Sequence, residues 1–273
     1  MPKVSVIIPT MKGREAMLKR LLESLPIGVE TIVVDDENLL LAAKRNKGAR
    51  LATEDYFLFI DDDNYFINKI NEINVIINYR DIGAIGLVAC YGDRPSKIAD
   101  GGSFRFYTSG LMWGVNTNKD IKDVIPKMYE VDEIANAFII PRVVFDAVGG
   151  FDEENFPIDM DEADICKRIK DIGLRVMMNP CAICYHDSQT YSNIPDFRRP
   201  MNCYFMARNK VLFQKKHLNK FQLAIYFLIF FPMFLVGYTA CLLYRGKPNM
   251  VLHYWKGSLD GIFCCKKNPY QQS

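Results

Sequence analysis

Tyr56-Phe57-Leu58-Phe59-Ile60-Asp61-Asp62-Asp63-Asn64 runs from five apolar or aromatic residues straight into three carboxylates. A short apolar run bounded by polar residues reads as a buried strand, which sets the acidic group at its carboxyl end. Two similar runs come earlier: Val4–Ile8 leads into Pro9-Thr10, and Thr31–Val34 into Asp35-Asp36. Between them, Ala16–Leu25 and Leu39–Ala52 carry apolar residues at helical spacing. Strand, helix, strand, helix, strand implies an α/β fold with a doubly wound, mostly parallel sheet of Rossmann type. Such sheets bind ligands beyond the carboxyl ends of their strands, so the predicted crevice is acidic.

The chain has 273 residues, 49% hydrophobic and 24% charged. That excludes a disordered, collagenous or low-complexity chain and leaves room for one large domain with an appendage. A net charge of +2 supplies no bulk field for nucleic acid, and no nucleic-acid partner is expected. Met1-Pro2-Lys3 leads directly into Val4–Ile8, too short for the apolar core of a signal peptide and without a small-residue cleavage site. The chain is therefore expected in a reducing compartment with most of its eight cysteines free. Cys181 and Cys184 have the spacing of half a zinc site, but no second pair stands at ligand spacing, and two half-buried strand thiols are the simpler reading.

Further along, a strand is predicted at Ala84–Cys90, a hairpin or covering loop at Gly101–Gly114 and another strand at Ala135–Ile140. Helices are predicted at Arg142–Val148, stopped by Gly149-Gly150, and at Asp161–Ile172, ended by Gly173. Two strand-like runs, Arg175–Asn179 and Ala182–Cys184, precede Tyr185-His186-Asp187. Leu223–Tyr244 then carries no charge over 22 positions. A helix of that length spans about 33 Å at ~1.5 Å per residue, close to a hydrocarbon core of ~30 Å. A membrane-associated helical segment is expected, against the alternative of a buried helical hairpin broken at Pro232. Arg208, Lys210, Lys215, Lys216 and Lys220 upstream outnumber Arg245, Lys247 and Lys256 downstream. This favours a cell-membrane location with the N-terminal part on the cytoplasmic face.

Carboxylates at alternate positions of a strand tip, Asp61 and Asp63, can share a hard divalent cation such as Mg²⁺ or Mn²⁺, with ligand phosphates completing its shell. An acidic turn is the plainer alternative. A second group, Asp159-Met160-Asp161-Glu162-Ala163-Asp164, opens a helix. Capping and the helix dipole explain one or two of these residues, and four in six positions exceed that need. A carboxylate here can serve as general base toward a hydroxyl nucleophile. His186, at a strand end, can complete a metal's sphere or contact phosphate, though a packed histidine is the commoner case.

The constellation resembles the inverting family 2 glycosyltransferases of the GT-A fold, over about residues 3–210. The resemblance rests on Val4-Ser5-Val6-Ile7-Ile8-Pro9-Thr10, Ile32-Val33-Val34-Asp35-Asp36, Ala43-Lys44-Arg45-Asn46-Lys47-Gly48-Ala49, the Asp-x-Asp at Asp61 and Asp63, Gly149-Gly150-Phe151-Asp152 and Asp161–Arg168. It implies transfer of a sugar from a nucleoside diphosphate donor to a hydroxyl acceptor with inversion. By position Pro9, Thr10, Asp35 and Asp36 inherit contacts to the donor nucleotide, with Arg45 and Asp62 beside them. Asp61, Asp63 and His186 inherit the Mg²⁺ or Mn²⁺ site. The family's Glu-Asp pair is inverted here as Asp161-Glu162, and Glu162 holds the position of the base with Asp161 as the other candidate. Tyr204 and Arg208-Asn209 resemble a C-terminal element that closes over the site. A catalytic domain over 1–210 and a basic, hydrophobic tail over 211–273 are expected. With a membrane segment, the acceptor is expected to be a polyprenyl-linked or surface glycan. A sugar-phosphate nucleotidylyltransferase is the alternative enzyme, for which Met11-Lys12-Gly13-Arg14 is a weak version of the required triphosphate loop. A membrane-tethered scaffold that lost the reaction is the non-catalytic alternative.

Overall fold

The structure is a computed structural model that describes residues 4–67, 81–187 and 200–263. In chain order it contains β1 (Val4–Pro9), α1 (Glu15–Ser24), β2 (Glu30–Val34), α2 (Leu41–Leu51), β3 (Tyr56–Ile60), β4 (Asn64–Tyr65) and β5 (Ile82–Tyr91). There follow β6 (Ile98–Asp100), β7 (Ser103–Phe106), β8 (Leu111–Gly114), β9 (Tyr129–Glu130), β10 (Ala137–Pro141), α3 (Arg142–Ala147), α4 (Asp161–Asp171) and β11 (Arg175–His186). The last elements are α5 (Pro200–His217), α6 (Lys220–Ile225), α7 (Phe231–Tyr244) and α8 (Pro248–Ile262). By contact the chain forms two units. One comprises 1–104, 113–153 and 162–192, the other 105–112, 154–161 and 193–273. The expected boundary at 210 falls inside α5.

The first unit is built on one sheet with strand order β2-β1-β3-β10-β5-β11-β4, β6 adding to β5 and β9 to β11. β2, β1 and β3 are parallel, as their helical connections require. β10 enters antiparallel between β3 and β5, and β5 and β11 are parallel again. Successive residues of a strand face opposite sides of a sheet. Ile7, Phe57, Phe59, Phe138 and Ile140 accordingly pack in one core layer, and Val4, Val6, Ile8, Leu58, Ile60 and Ile139 in the other. Both faces are covered, which is why these strands read as unbroken apolar runs rather than as alternating ones. Gly48 lets α2 lie close on β1: a Cβ there would stand 2.3 Å from Ile7 Cγ2.

The predicted loop at 101–114 contains a hairpin, with β7 and β8 paired as a separate two-stranded sheet. The two runs around 175–184 are a single strand, irregular between Asn179 and Ile183 where Pro180 interrupts the ladder. Cys181 lies in that irregular stretch and is exposed, Cys184 lies just beyond it, paired with Ala89 and buried, and both are free thiols, as are the other four described cysteines. Cys264 and Cys265 lie outside the described residues.

In the second unit α5 and α8 pack along each other. The Tyr204 hydroxyl donates to Asp260 at 2.8 Å, and Gly257 admits the contact, since a Cβ would stand 2.2 Å from the Tyr204 carbonyl oxygen. Lys220–Tyr244 is one helix of 25 residues, long and apolar enough to cross a membrane and mostly exposed. This overturns the alternative of a buried hairpin broken at Pro232. The helix passes through the proline because a π turn at Tyr226–Phe230 precedes it, which absorbs the clash with the preceding carbonyl and the missing N–H.

Candidate active site

The acidic triplet leaves the centre of the sheet at the end of β3. The Asp61 N–H donates to the Asn136 carbonyl at 3.0 Å, and Asn136 sits in the left-handed region at φ 63°, a conformation asparagine tolerates. Asp62 points inward and is 2% exposed. It accepts from the Thr10 hydroxyl at 2.6 Å and pairs with Arg14 Nη2 at 2.8 Å. Burial, reinforced by the charges of Asp63 and Asp61, pushes its pKa up to about 6 against the pull of Thr10 and Arg14. Asp63 pairs through Oδ2 with Arg14 at 2.5 Å, while its Oδ1 lies 3.4 Å from His186 Nε2 and accepts from Asn64 at 3.3 Å. Burial works against the charged form of Asp63, but His186 and Arg14 outweigh it and hold this carboxyl below its usual value. Burial likewise opposes the protonated imidazole of His186, and the bond and charge of Asp63 overcome it, so its pKa is raised.

α2 brings the second set of groups. Arg45 is fully buried, with its Cζ 5.5 Å from the ring centroids of Phe138 and Phe151. Its Nη2 lies 2.8 Å from Asp61 Oδ1 and 2.8 Å from Glu162 Oε1. One guanidinium therefore joins the acidic triplet to the acidic helix. Asn46 fixes the loop before that helix: its amide donates to the Phe151 carbonyl at 2.9 Å and to Glu153 at 2.7 Å, and its oxygen accepts from the Phe151 N–H at 2.9 Å. Lys44 Nζ donates to the Thr10 carbonyl at 2.5 Å, and Lys47 pairs with Asp36 at 2.9 Å. Asp35 is exposed at the end of β2.

Within α4, Asp161 is 1% exposed and Asp164 fully buried, the latter paired with Arg168 at 2.8 Å. The side chain of Glu162 is 22% exposed. Of the two candidate bases, Glu162 is the one open to a ligand. In the second unit Arg208 donates to the Asn155 carbonyl at 2.8 Å. Asn209 donates to the carbonyls of Ile158 at 2.7 Å and Asp159 at 2.9 Å. These bonds grip the turn in which Asp159 and Met160 both adopt φ 65°.

The structure thus brings Thr10, Asp61, Asp62, Asp63 and His186 together at the end of β3 and ties Arg45 and Glu162 to them. Four contributors were not singled out from the sequence for a place in the site: Arg14, Lys44, Asn46 and Asn136. Asn46 and Lys44 stand within the 43–49 stretch and Arg14 within the Met11–Arg14 loop set against a triphosphate site, while Asn136 carries no local signal. Asp61 and Asp63 offer two carboxylates, donors that suit Mn²⁺ or Mg²⁺, and His186 adds an imidazole, a donor that suits softer divalent ions better than Mg²⁺. In this arrangement Asp61 turns to Arg45 and Asp63 to Arg14 and His186. Among the described residues no three His, Cys, Asp or Glu side chains are gathered as a ready-made metal set.

The fold is similar to that of several solved glycosyltransferases. GalNAc-T7, solved with UDP, GalNAc and Mn²⁺, matches with a TM-score of 0.55 at 15% identity, over 78% of this chain and 50% of that one. The present chain thus spans about half of that chain's length. A mannosyltransferase from Pyrobaculum calidifontis, in complex with GDP-Man and Mn²⁺, matches with a TM-score of 0.53 at 13% identity, over 97% of this chain and 88% of that one. Residues 1–349 of S. aureus TarS match with a TM-score of 0.54 at 13% identity, over 95% and 81%. Identities this low establish the shared GT-A fold alone. No curated protein is significantly similar in sequence. Residues 29–217, more than half of the chain, match the family described as glycosyltransferase like family 2, and with this sheet and its acidic strand ends beneath the match, the protein belongs to that family.

Proposed function

We propose that the protein transfers a hexose-type sugar from a nucleoside diphosphate donor to a hydroxyl of a glycan acceptor in a single displacement that inverts the anomeric centre. The observation that carries this reading is the shared guanidinium of Arg45, 2.8 Å from both Asp61 and Glu162. It holds a donor-side acidic group and an acceptor-side carboxylate on either side of one fixed charge. Glu162, partly exposed and resting on that charge, takes the proton of the acceptor hydroxyl at a carboxylate oxygen. The hydroxyl oxygen bonds to the anomeric carbon as the bond from that carbon to the diphosphate oxygen breaks. The products are the glycoside, the nucleoside diphosphate and a proton left on Glu162. Pro9, Thr10, Asp35 and Asp36 receive the base and ribose, and the Thr10–Asp62 hydrogen bond stiffens that end of the site. A divalent cation held by Asp61, Asp63 and His186 would stabilise charge on the departing diphosphate.

The exposed apolar helix Lys220–Tyr244 supports attachment to a membrane, and the excess of Lys and Arg ahead of it supports a cytoplasmic face for the sheet domain. It also supports a polyprenyl-linked or surface glycan as acceptor. The test is incubation of the full chain with UDP-, GDP- and dTDP-sugars and Mn²⁺. Thermal stabilisation identifies the donor, since a ligand at about 100 times its dissociation constant adds ~2.7 kcal/mol, and NMR of the product reads the anomeric configuration. Retention at the anomeric carbon would remove the single displacement. Formation of a nucleotide sugar from sugar phosphate and nucleoside triphosphate would replace the reading with the nucleotidylyltransferase.

A further inference from the structure

Arg14 reaches from the loop after β1 into the aspartate triplet. Its Nη2 lies 2.8 Å from Asp62 Oδ1 and 2.5 Å from Asp63 Oδ2. The two oxygens of Asp63 are not equivalent. Oδ1 accepts from Asn64 and faces His186, while the guanidinium lies on Oδ2, so a cation that takes Asp63 through Oδ2 meets Arg14 there. The same side chain is only partly committed: its Nε is buried without a hydrogen-bond partner, and 32% of the side chain is exposed. The preceding Gly13 stands at φ 87°, with no atom within 4 Å of the position a Cβ would take. A guanidinium with an unused donor, standing on an Asp63 oxygen that a metal can take, suits planar recognition of phosphate oxygens better than a permanent surface ion pair.

We infer that Arg14 is an internal cation that competes with divalent metal for Asp63 and, once displaced, binds the diphosphate of the donor while remaining anchored on Asp62. The inference rests on the sugar-transfer reading for its diphosphate half only. Metal alone then binds weakly, because it must displace a paired guanidinium. Metal and nucleoside diphosphate bind together strongly, because the diphosphate supplies new acceptors for the group that leaves.

The experiment measures Mn²⁺ binding to the full chain by electron paramagnetic resonance and UDP and GDP binding by calorimetry, for wild type, Arg14→Gln and Arg14→Lys. Without nucleotide, Arg14→Gln should bind Mn²⁺ about tenfold more tightly than wild type, the scale of one lost charge-assisted contact, and Arg14→Lys should stay near wild type. With Mn²⁺ saturating, Arg14→Gln should bind the preferred nucleoside diphosphate about tenfold more weakly. Equal Mn²⁺ affinity in wild type and Arg14→Gln, or no Mn²⁺ binding by either, overturns the competition. Unchanged nucleotide affinity overturns the diphosphate contact. If the Mn²⁺ difference is found while no variant binds any nucleoside diphosphate, the sugar-transfer reading falls with that contact, and the competition at Asp63 stands by itself.

Discussion

Glu162 and Asp161 are neighbours with different surroundings, and that difference decides what each can do. Asp161 is nearly inaccessible, whereas Glu162 is partly open and rests on Arg45. Glu162→Gln keeps the shape and removes the proton acceptor. It is expected to leave donor affinity nearly intact while lowering kcat by roughly 10²–10⁴-fold. Asp161→Asn is expected to act mainly on stability. Single-turnover rates and melting curves for both variants separate the two: a live Glu162→Gln beside a dead, well-folded Asp161→Asn would transfer the role of base to Asp161. The inverted order of this pair is a local feature of the sequence. Which of the two reaches solvent is not, because exposure depends on where the rest of the chain packs on α4.

At the scale of elements, β1, β2 and the turn before β3 are joined by one carboxylate. Glu30 accepts from the buried Ser5 hydroxyl and from the N–H and hydroxyl of Thr53 at 3.0 and 2.8 Å. Burial opposes its charged form, and these hydrogen bonds overcome it, so its pKa lies below the ordinary value of 4.5. A carboxyl lowered in the folded state contributes stability that is fully present above its unfolded pKa and is lost as pH falls through the folded one. Glu30→Gln is expected to cost about 1–2 kcal/mol near neutrality. In denaturant titrations its gap from wild type should close below about pH 4. A gap that stays constant to about pH 2 would mean that the ionised state of Glu30 contributes nothing.

The turn into α4 is held in a comparable way. Two successive non-glycine residues at φ 65° cost about 1–2 kcal/mol each, and the two bonds from Asn209 offset part of that. Asn209→Asp keeps the size but sets an acceptor against two carbonyl oxygens. It should destabilise more than Asn209→Ala, by about 1–3 kcal/mol, a loss of several degrees in Tm at this chain length. Equal effects would show that only the side-chain volume matters there.

For the molecule as a whole, the exposed apolar helix bears on attachment. Leu228 and Val236 are 78% and 69% exposed on it, and water is a costly neighbour for a continuous face of that kind. The full chain is expected to float with lipid vesicles, and the double variant Leu228→Glu, Val236→Glu to remain in the lower, soluble fraction. Flotation of both would show that another surface binds the membrane. A truncation before Lys220 is a poorer test, because it also removes α8, and with it the groups that cover Tyr204, Ala207 and Cys203 on α5.

Consecutive residues alone account for the sheet of the first unit through β1, β2 and β3, the acidic ends of those strands and the apolar segment. Each was legible as run length, a periodicity of two or 3.6, or the absence of charge. The carboxylate pair at the start of α4 was legible in the same way. The partners of those carboxylates depend instead on how the chain folds back on itself. Arg14 meets Asp63 across 49 positions and Arg45 meets Glu162 across 117, separations set by the sheet order. β10 is the clearest case: its insertion between β3 and β5 brings the Asn136 carbonyl to the Asp61 N–H, and no local pattern marks an apolar run as antiparallel. The α5–α8 contact likewise depends on Gly257 meeting a carbonyl 53 residues away. Local physics selects the elements. Charge pairing and close packing between distant residues select how they are assembled, because those energies exist only once the chain has brought the groups within a few ångströms of one another.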